Sequence, residues 1–235
     1  MKLRSFYVLL LALIFLSFII VMIASFSNIT AHASTDSVSA SPRIIIDAGH
    51  GGEDGGAEVD GVLEKDINLS IASMLADILR VCGYEVIEVR DTDISVYTDG
   101  ADTLREKKKS DLNNRVRLFN SDPRNVVVSI HQNRFDNPKY SGAQLFYSVN
   151  NENSAFLADC IRTAVVSLLQ KENTRELKPA GNDIYILDQS TVPAVIAECG
   201  FLSNERERKL LLTPEYQQKL AYAIAMGVID YCRQK

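Results

Sequence analysis

Short apolar runs alternate with longer amphipathic stretches along most of the chain. The runs are rich in β-branched residues and are bounded by glycine, proline or asparagine, which is typical of buried strands. They predict six strands, at 43–47, 84–90, 125–130, 144–149, 184–187 and 194–197. Because strands alternate with helices, we predict an α/β fold: a single domain with a mainly parallel twisted sheet of about six strands flanked by helices, after an N-terminal hydrophobic segment.

The amphipathic stretches predict four helices, in which apolar residues recur with helical spacing. These helices lie at 66–81, 111–120, 152–170 and from 214 onward. Gly83 follows the first helix as a C-terminal signal, and Thr213 with Pro214 marks the start of the last one. The segment 91–110 is polar and contains three consecutive lysines, so we interpret it as a solvated loop.

The first 33 residues follow a different pattern. An uncharged run of 20 residues, 7–26, comes after two basic residues and is long enough to cross a bilayer. The small-x-small sequence at 31–33 fits a signal-peptidase site, so residues 1–33 are either a cleaved signal peptide or an uncleaved membrane anchor. Both alternatives imply that the rest of the chain is exported. A serine-rich linker is expected at 34–42 and the folded domain at 43–235.

Charge and composition narrow the function classes further. The chain has 235 residues, of which 25 are basic and 30 acidic; beyond residue 33 the balance is 23 to 30, a net charge of −7. An acidic body argues against a nucleic-acid partner, because basic surfaces supply most of the affinity for phosphates. No pair of cysteines has Cys-x-x-Cys spacing, so we expect all four to be small buried hydrophobes. They are Cys82, Cys160, Cys199 and Cys232.

Polar residues follow three of the predicted strands at their carboxyl ends. His50 lies just beyond the first strand, His131 directly follows the third, and Glu198 follows the last. Ligand sites of open α/β sheets lie outside the carboxyl ends of the strands, so we expect these side chains to converge. Two histidines and one carboxylate with an open position form the ligand set of a catalytic zinc. Glu64 and Glu198 are both candidates for the third ligand, and the other glutamate would act as the base.

Four ordered sequence blocks carry a resemblance to a known family. They are IIDAGHGGEDGGA at 45–57, LEKDINL at 63–69, SIHQN at 129–133 and PAVIAECGFLSN at 193–204. Together they resemble the zinc-dependent N-acetylmuramoyl-L-alanine amidases of the amidase-3 family. The resemblance implies a zinc amidase catalytic domain over 43–235 that cuts peptidoglycan between the lactyl group of N-acetylmuramic acid and the L-alanine of the stem peptide.

The same resemblance implies a role for each candidate residue. It places the Zn²⁺ ligands at His50, Glu64 and His131 and the catalytic glutamate at Glu198, which decides between the two glutamates. Asn133 and Arg115 match polar positions of the family, which suggests contacts with the substrate or with groups around the metal. Hydrogen bonding within a loop and a helix-surface charge are the alternative interpretations of these two residues.

Two further segments resemble the sporulation branch of the family, which prepares muramic-δ-lactam in the spore cortex. They are SGAQLFY at 141–147 and IYIL at 184–187. This resemblance implies an exported protein at the forespore or cortex, and clostridial relatives suggest a partner lipoprotein. Two other functions stay open: a non-catalytic peptidoglycan-binding or regulatory module, and a zinc peptidase that cuts within the stem peptide.

Overall fold

The computed structural model describes Ser17 and residues 41–235. The predicted signal or anchor segment, apart from Ser17, and residues 34–40 of the predicted linker therefore lie outside the described residues. The chain divides into two units, and the second spans Ser41–Lys235. Within the described residues, no helix combines the length and the apolar character needed to span a membrane.

Most strands of the structure belong to one six-stranded sheet. Its members are β1 (Arg43–Ala48), β4 (Glu85–Glu88), β5 (Asn125–Asn133), β6 (Gln144–Tyr147), β7 (Lys178–Pro179) and β8 (Ala194–Phe201). Their spatial order is β4-β1-β5-β8-β6-β7, and β4, β1, β5 and β8 are parallel. β6 runs antiparallel to β8. A separate hairpin consists of β2 (Glu58–Val59) and β3 (Val62–Leu63).

Helices cover both faces of this sheet. They are α1 (Glu64–Val81), α2 (Leu104–Phe119), α3 (Asn153–Leu168), α4 (Tyr185–Asp188), α5 (Glu205–Leu211) and α6 (Pro214–Arg233). On one face, Ile44 and Ile46 of β1 share a core with residues of α1, α3 and α6. On the other face, Ile45 packs in a smaller core with Phe119 of α2 and Leu187 of α4. Because the central strands are buried on both faces, they have the continuous apolar sequences from which they were predicted.

The predicted α/β fold, with its mainly parallel six-stranded sheet, is confirmed, but the position of one strand was wrong. Residues 184–187, predicted as a strand, lie mostly in the short helix α4, where the Asp188 amide donates to the Ile184 carbonyl at 2.9 Å. The sixth strand is instead Lys178–Pro179 at the sheet edge. Periodicity cannot distinguish a four-residue apolar strand from one turn of buried helix, which explains the error.

The interpretation of 91–110 as a loop is wrong in its last part, because α2 begins at Leu104. Thr103 and Glu106 form a capping box there: the Thr103 hydroxyl accepts from the Glu106 amide, and the Glu106 carboxylate accepts from the Thr103 amide. This local signal starts the helix although its first turns are strongly polar. The charged residues that suggested a loop therefore belong to the solvated side of a helix.

The cysteines share one prediction but have different outcomes. Cys160 and Cys199 are buried, as expected of small hydrophobes. Cys82 is exposed and Cys232 is half-buried, so the prediction of four buried cysteines is wrong. Cys82 is the residue that caps the C-terminal end of α1, and the apolar stripe of that helix ends one turn earlier, at Leu79. Its helical spacing from the stripe was therefore misleading.

Candidate active site

The loop after β1 carries the first histidine into the site. His50 has a φ of 61°, in the left-handed region that non-glycine residues rarely adopt. Its neighbour Gly49 lies against the ring of His131, where a Cβ atom would be 2.2 Å from the nearest ring atoms. The sequence therefore needs glycine at 49 so that the loop can bring the two imidazoles together. Their ring centroids are 5.0 Å apart, edge to face.

Three side chains converge beyond the carboxyl ends of β1 and β5. One ligand atom from each of His50, Glu64 and His131 lies within 4.8 Å of the others. His50 Nε2 is 3.3 Å from Glu64 Oε2, and His131 Nδ1 is 3.0 Å from Glu64 Oε1. Among the described residues, these three side chains form a cluster of histidine and carboxylate ligands that could hold a metal ion. Two nitrogens and one oxygen on separate elements match the donor set of zinc.

Glu64 stands at the start of α1, directly after the β2–β3 hairpin. Its Oε1 accepts hydrogen bonds from the Gln132 amide at 3.0 Å and from Asn68 Nδ2 at 3.2 Å, and its Oε2 accepts from the Ala57 amide at 2.8 Å. The N-terminus of a helix favours a negative charge. These donors fix the carboxylate in one orientation between the two histidines.

The charges around Glu64 are those of a site prepared for a cation. Burial opposes ionisation of Glu64, but hydrogen bonds from His131 and His50 outweigh it and hold its pKa far below the usual range. Burial also disfavours a charged His50, yet hydrogen bonds to Asp54 and Glu64 raise its pKa to about 9. Without a metal, an ionised carboxylate thus attracts a proton to the neighbouring imidazole. A bound cation would replace that proton, so the residues fit Zn²⁺.

Asp54 holds His50 from the side opposite Glu64. Its Oδ2 is 3.0 Å from His50 Nδ1, and Lys108 Nζ lies 3.3 Å from the same oxygen. This contact requires a proton on Nδ1 and leaves Nε2 directed at Glu64. A carboxylate that accepts from the outer nitrogen of a ligating histidine orients the ring and raises its basicity.

We expect Asp54→Asn to weaken zinc binding by about 10- to 100-fold, because the amide can no longer bond the His50 ring as an ionised acceptor. The dissociation constant of zinc, measured by competition with a chromophoric chelator, checks this. Asp66→Asn is the matched control, since Asp66 is exposed in the first turn of α1 and loses the same charge. Equal affinities for the wild type and Asp54→Asn would contradict the role of this contact.

Glu198 lies on β8 next to His131, with which it is paired in the parallel β5–β8 register. Its side chain is half-buried, and its Oε2 is shielded from solvent without a hydrogen-bond partner. Burial, with a smaller contribution from Glu64, raises the pKa of Glu198 to about 7, although His131 and His50 act in the opposite direction. A carboxylate with a free oxygen and a pKa near neutrality is suited to accept and return a proton.

A cavity of about 200 Å³ opens beside the two histidines. Ile184, Tyr185 and Ile186 form part of its wall, so the segment that was predicted as a strand borders the site as a helical turn. Tyr185 is fixed there because its hydroxyl donates to Asn113 Oδ1 at 2.6 Å. Apolar side chains therefore lie next to the two histidines on this side of the site.

Arg115 and Asn133, the two polar residues matched by resemblance, have different environments. Arg115 is 2% exposed and bonds Asp47, the carbonyl oxygens of Ala48 and His50, and Asp111. It is therefore not a helix-surface charge, and it supports the loop that carries His50. Asn133 ends β5 beyond a register shift that separates it from His131, and its carbonyl accepts from the Leu202 amide at 2.8 Å. Its assignment to the substrate stays a prediction.

Sequence reasoning did not find several residues that hold the cluster in place. Arg90 is buried and donates to the carbonyl oxygens of Ala48, Gly49 and Lys65 at 2.9 to 3.0 Å. Asn68 and Asp54 bond the ligands themselves, as described above. The one available signal was position, since Arg90 is a lone arginine at the end of a predicted strand that the sheet places at the same edge.

The fold and the cluster together define a metal-dependent enzyme of the α/β class. Comparison with known proteins narrows this class to one family. The sequence family described as N-acetylmuramoyl-L-alanine amidase (amidase 3) matches residues 44–230. The chain belongs to this family, and it is an amidase that hydrolyses the bond between N-acetylmuramic acid and L-alanine in peptidoglycan, with zinc as its cofactor.

Individual relatives agree with this assignment. The germination-specific N-acetylmuramoyl-L-alanine amidase of Bacillus subtilis is 36% identical over 196 residues, covering 82% of this chain and 80% of that protein. The CwlD amidase of Clostridioides difficile, solved in complex with the GerS lipoprotein, is 42% identical with a TM-score of 0.79 and covers 83% of this chain and all of that one. The amidase AmiC2 of Nostoc punctiforme is 29% identical, with a TM-score of 0.67. The match covers 83% of this chain and 98% of that one.

Proposed function

We propose that this amidase strips stem peptides from the peptidoglycan of the spore cortex, with zinc held by His50, Glu64 and His131 and with Glu198 as the general base. The observation that carries the catalytic part is the convergence of the three ligand atoms within 4.8 Å, next to a glutamate in register with His131. A module that only binds peptidoglycan would not need Glu198, whose Oε2 is shielded from solvent and has no hydrogen-bond partner within the described residues, next to the three metal ligands.

The site residues divide the chemistry between them. Zinc, when bound, supplies a Lewis acid that polarises the scissile carbonyl and lowers the pKa of a water molecule. Glu198 Oε2 accepts the proton of the attacking water and then delivers it to the amide nitrogen of L-alanine, which leaves as a free amine. His50 and His131 stay neutral as ligands, and Asp54 keeps the proton of His50 on Nδ1. Arg115 and Arg90 hold the carbonyl groups of the loop, so that the ligands need not reorganise during the reaction.

The cortex role and the partner rest on the relatives. The Bacillus subtilis relative is described as germination-specific, and the Clostridioides difficile relative was solved with a lipoprotein. We therefore infer a function in forming muramic-δ-lactam, for which the stem peptide must first be removed from the muramic acid. We also infer a lipoprotein partner and a place of action outside the cytoplasm, at the forespore or cortex, reached through the exported or anchored N-terminal segment.

Product analysis tests the proposed reaction. Zinc-loaded protein is incubated with purified cortex peptidoglycan, and the soluble products are identified by mass spectrometry, with a chelator-treated sample as the control. We expect free stem peptides with an L-alanine amino end in the first sample and none in the second. Shortened stem peptides would instead indicate a zinc peptidase. Zinc-loaded protein that binds peptidoglycan without releasing a product would indicate a non-catalytic module.

A further inference from the structure

A second and larger cavity lies beside the catalytic edge of the sheet. This groove, of about 730 Å³, runs between the loop 139–142, the segment 169–175 after α3, and helix α5. Four basic side chains line it, and we call it the basic groove. They are Lys139, Lys171, Arg175 and Arg206.

The four cations of the basic groove are not neutralised by carboxylates of the described chain. None of them forms an ion pair with a carboxylate in the part of the chain that the structure describes. Of the two acids in the lining, Glu207 is buried and accepts hydrogen bonds from the amides of Gly142 and Phe201, both at 2.8 Å. Glu172 is exposed. The groove therefore has an excess of positive charge that no carboxylate of the described residues neutralises by an ion pair.

Arg175 is the one of these cations whose position is fixed. Its Nε donates to the Ser141 carbonyl at 2.8 Å, and its guanidinium lies 4.5 Å from the ring centroid of Phe201 and 5.6 Å from that of Tyr140. A second contact, from Nη1 to Gln144 Oε1, is long at 3.4 Å. The outer nitrogens thus keep donors for a ligand. A guanidinium held flat in this way is preorganised for two parallel hydrogen bonds to a carboxylate.

The basic groove is close enough to the catalytic glutamate to contact the same substrate. Gln144 of β6 is paired with Glu198 of β8, so their side chains leave the same face of the sheet about 5 Å apart. Arg175 touches Gln144, and Phe201 beneath it lies three residues beyond Glu198, across the register shift of β8, or about 7–10 Å along the strand. An extended peptide advances about 3.5 Å per residue, so the second and third stem residues of a substrate reach this distance.

The stem peptide has anionic groups at those positions, because the residues that follow L-alanine carry free carboxylates. We propose that the basic groove binds these carboxylates, with Arg175 taking one of them through a two-bond contact and Lys139, Lys171 and Arg206 contributing charge. This inference rests on the proposed amidase function and adds a specificity to it: the enzyme prefers stem peptides with free carboxylates to amidated ones.

A cycle of one substrate change and one protein change tests the proposal. Two disaccharide-tripeptides are compared, identical except that the second stem residue has a free α-carboxylate or a carboxamide. We expect the wild type to prefer the carboxylate by about 10-fold or more in kcat/KM, mainly through KM, as is usual for hydrogen bonds to charged groups. Arg175→Gln is expected to remove this preference. Arg117→Gln, which removes an exposed cation from α2, should preserve it.

Further variants keep the test decisive if Arg175→Gln is poorly folded. Lys171 and Arg206 are exposed and their side chains form no hydrogen bonds within the described residues, so Lys171→Gln/Arg206→Gln should fold normally and reduce the preference in part. Equal cleavage of both substrates by the wild type would overturn the inference but not the proposed function. Cleavage of neither would contradict the proposed function itself. If the Arg175→Gln variant kept the wild-type preference for the carboxylate substrate but bound a lipoprotein partner more weakly, the groove would instead be a protein-binding surface.

Discussion

Glu198→Gln is expected to lower kcat for peptidoglycan hydrolysis by about 10²- to 10⁴-fold, which is the usual contribution of a general base. Glutamine has nearly the same shape but cannot take a proton from water. Because Glu198 Oε2 makes no hydrogen bond within the described structure, the substitution removes no contact that holds the fold. We therefore expect the unfolding temperature and the zinc content to stay close to those of the wild type.

The measurement combines the rate of stem-peptide release with metal analysis of the purified variant. Glu152→Gln is a suitable control, because Glu152 is exposed at the start of α3, lies outside both cavities and loses the same charge. Glu64→Gln should behave differently from Glu198→Gln, since it loses both zinc and activity. If Glu198→Gln retained near-wild-type kcat, the assigned base would be wrong. If it lost zinc together with activity, Glu198 would be a ligand, which is the alternative that the strand-end pattern alone left open.

The site residues that could be predicted from the sequence are those that strands of the sheet hold in place. His131 and Glu198 follow β-branched runs that become the adjacent parallel strands β5 and β8, so their convergence follows from topology. Glu64 could not be chosen on this basis. It is the first residue of a helix that follows the short β2–β3 hairpin, and it does not follow a strand of the sheet. It was assigned through the resemblance to the amidase-3 blocks, and its place between the two histidines agrees with that assignment.

The residues that sequence reasoning missed act through backbone atoms or through loop geometry. Arg90 bonds three carbonyl groups, and such a contact leaves no pattern in the sequence of the partner. Asp54 reaches His50 because glycines on both sides of it, Gly52 and Gly56, have positive φ angles. The short helix α4 and the capped start of α2 were missed for a related reason: each is decided by one or two local hydrogen bonds rather than by hydrophobic periodicity.

Arg115→Met is expected to destabilise the fold by about 3–5 kcal/mol, because it leaves a buried carboxylate without its partner. Asp47 is fully buried at the end of β1 and bonds Arg115 and the Ser129 hydroxyl, the latter at 2.6 Å. Burial opposes ionisation of Asp47, but the charge of Arg115 and the hydrogen bond from Ser129, with a smaller contribution from His131, together outweigh it and keep the pKa of that carboxyl below its usual value. The stabilisation is therefore complete above the ordinary pKa of an aspartate and is lost only as the pH falls through the lower folded value.

Urea unfolding at pH 7 measures this loss, with Arg117→Met on the exposed side of the same helix as the control. The double variant Asp47→Asn/Arg115→Met should be less destabilised than the sum of its single changes, since the charge that Arg115 neutralises is then absent. Arg115→Lys should restore only part of the stability, because one ammonium cannot bond Asp47, Asp111 and the carbonyl of His50 together. A loss below about 1 kcal/mol for Arg115→Met, typical of an exposed ion pair, would show that this buried pair does not hold the metal-binding loop.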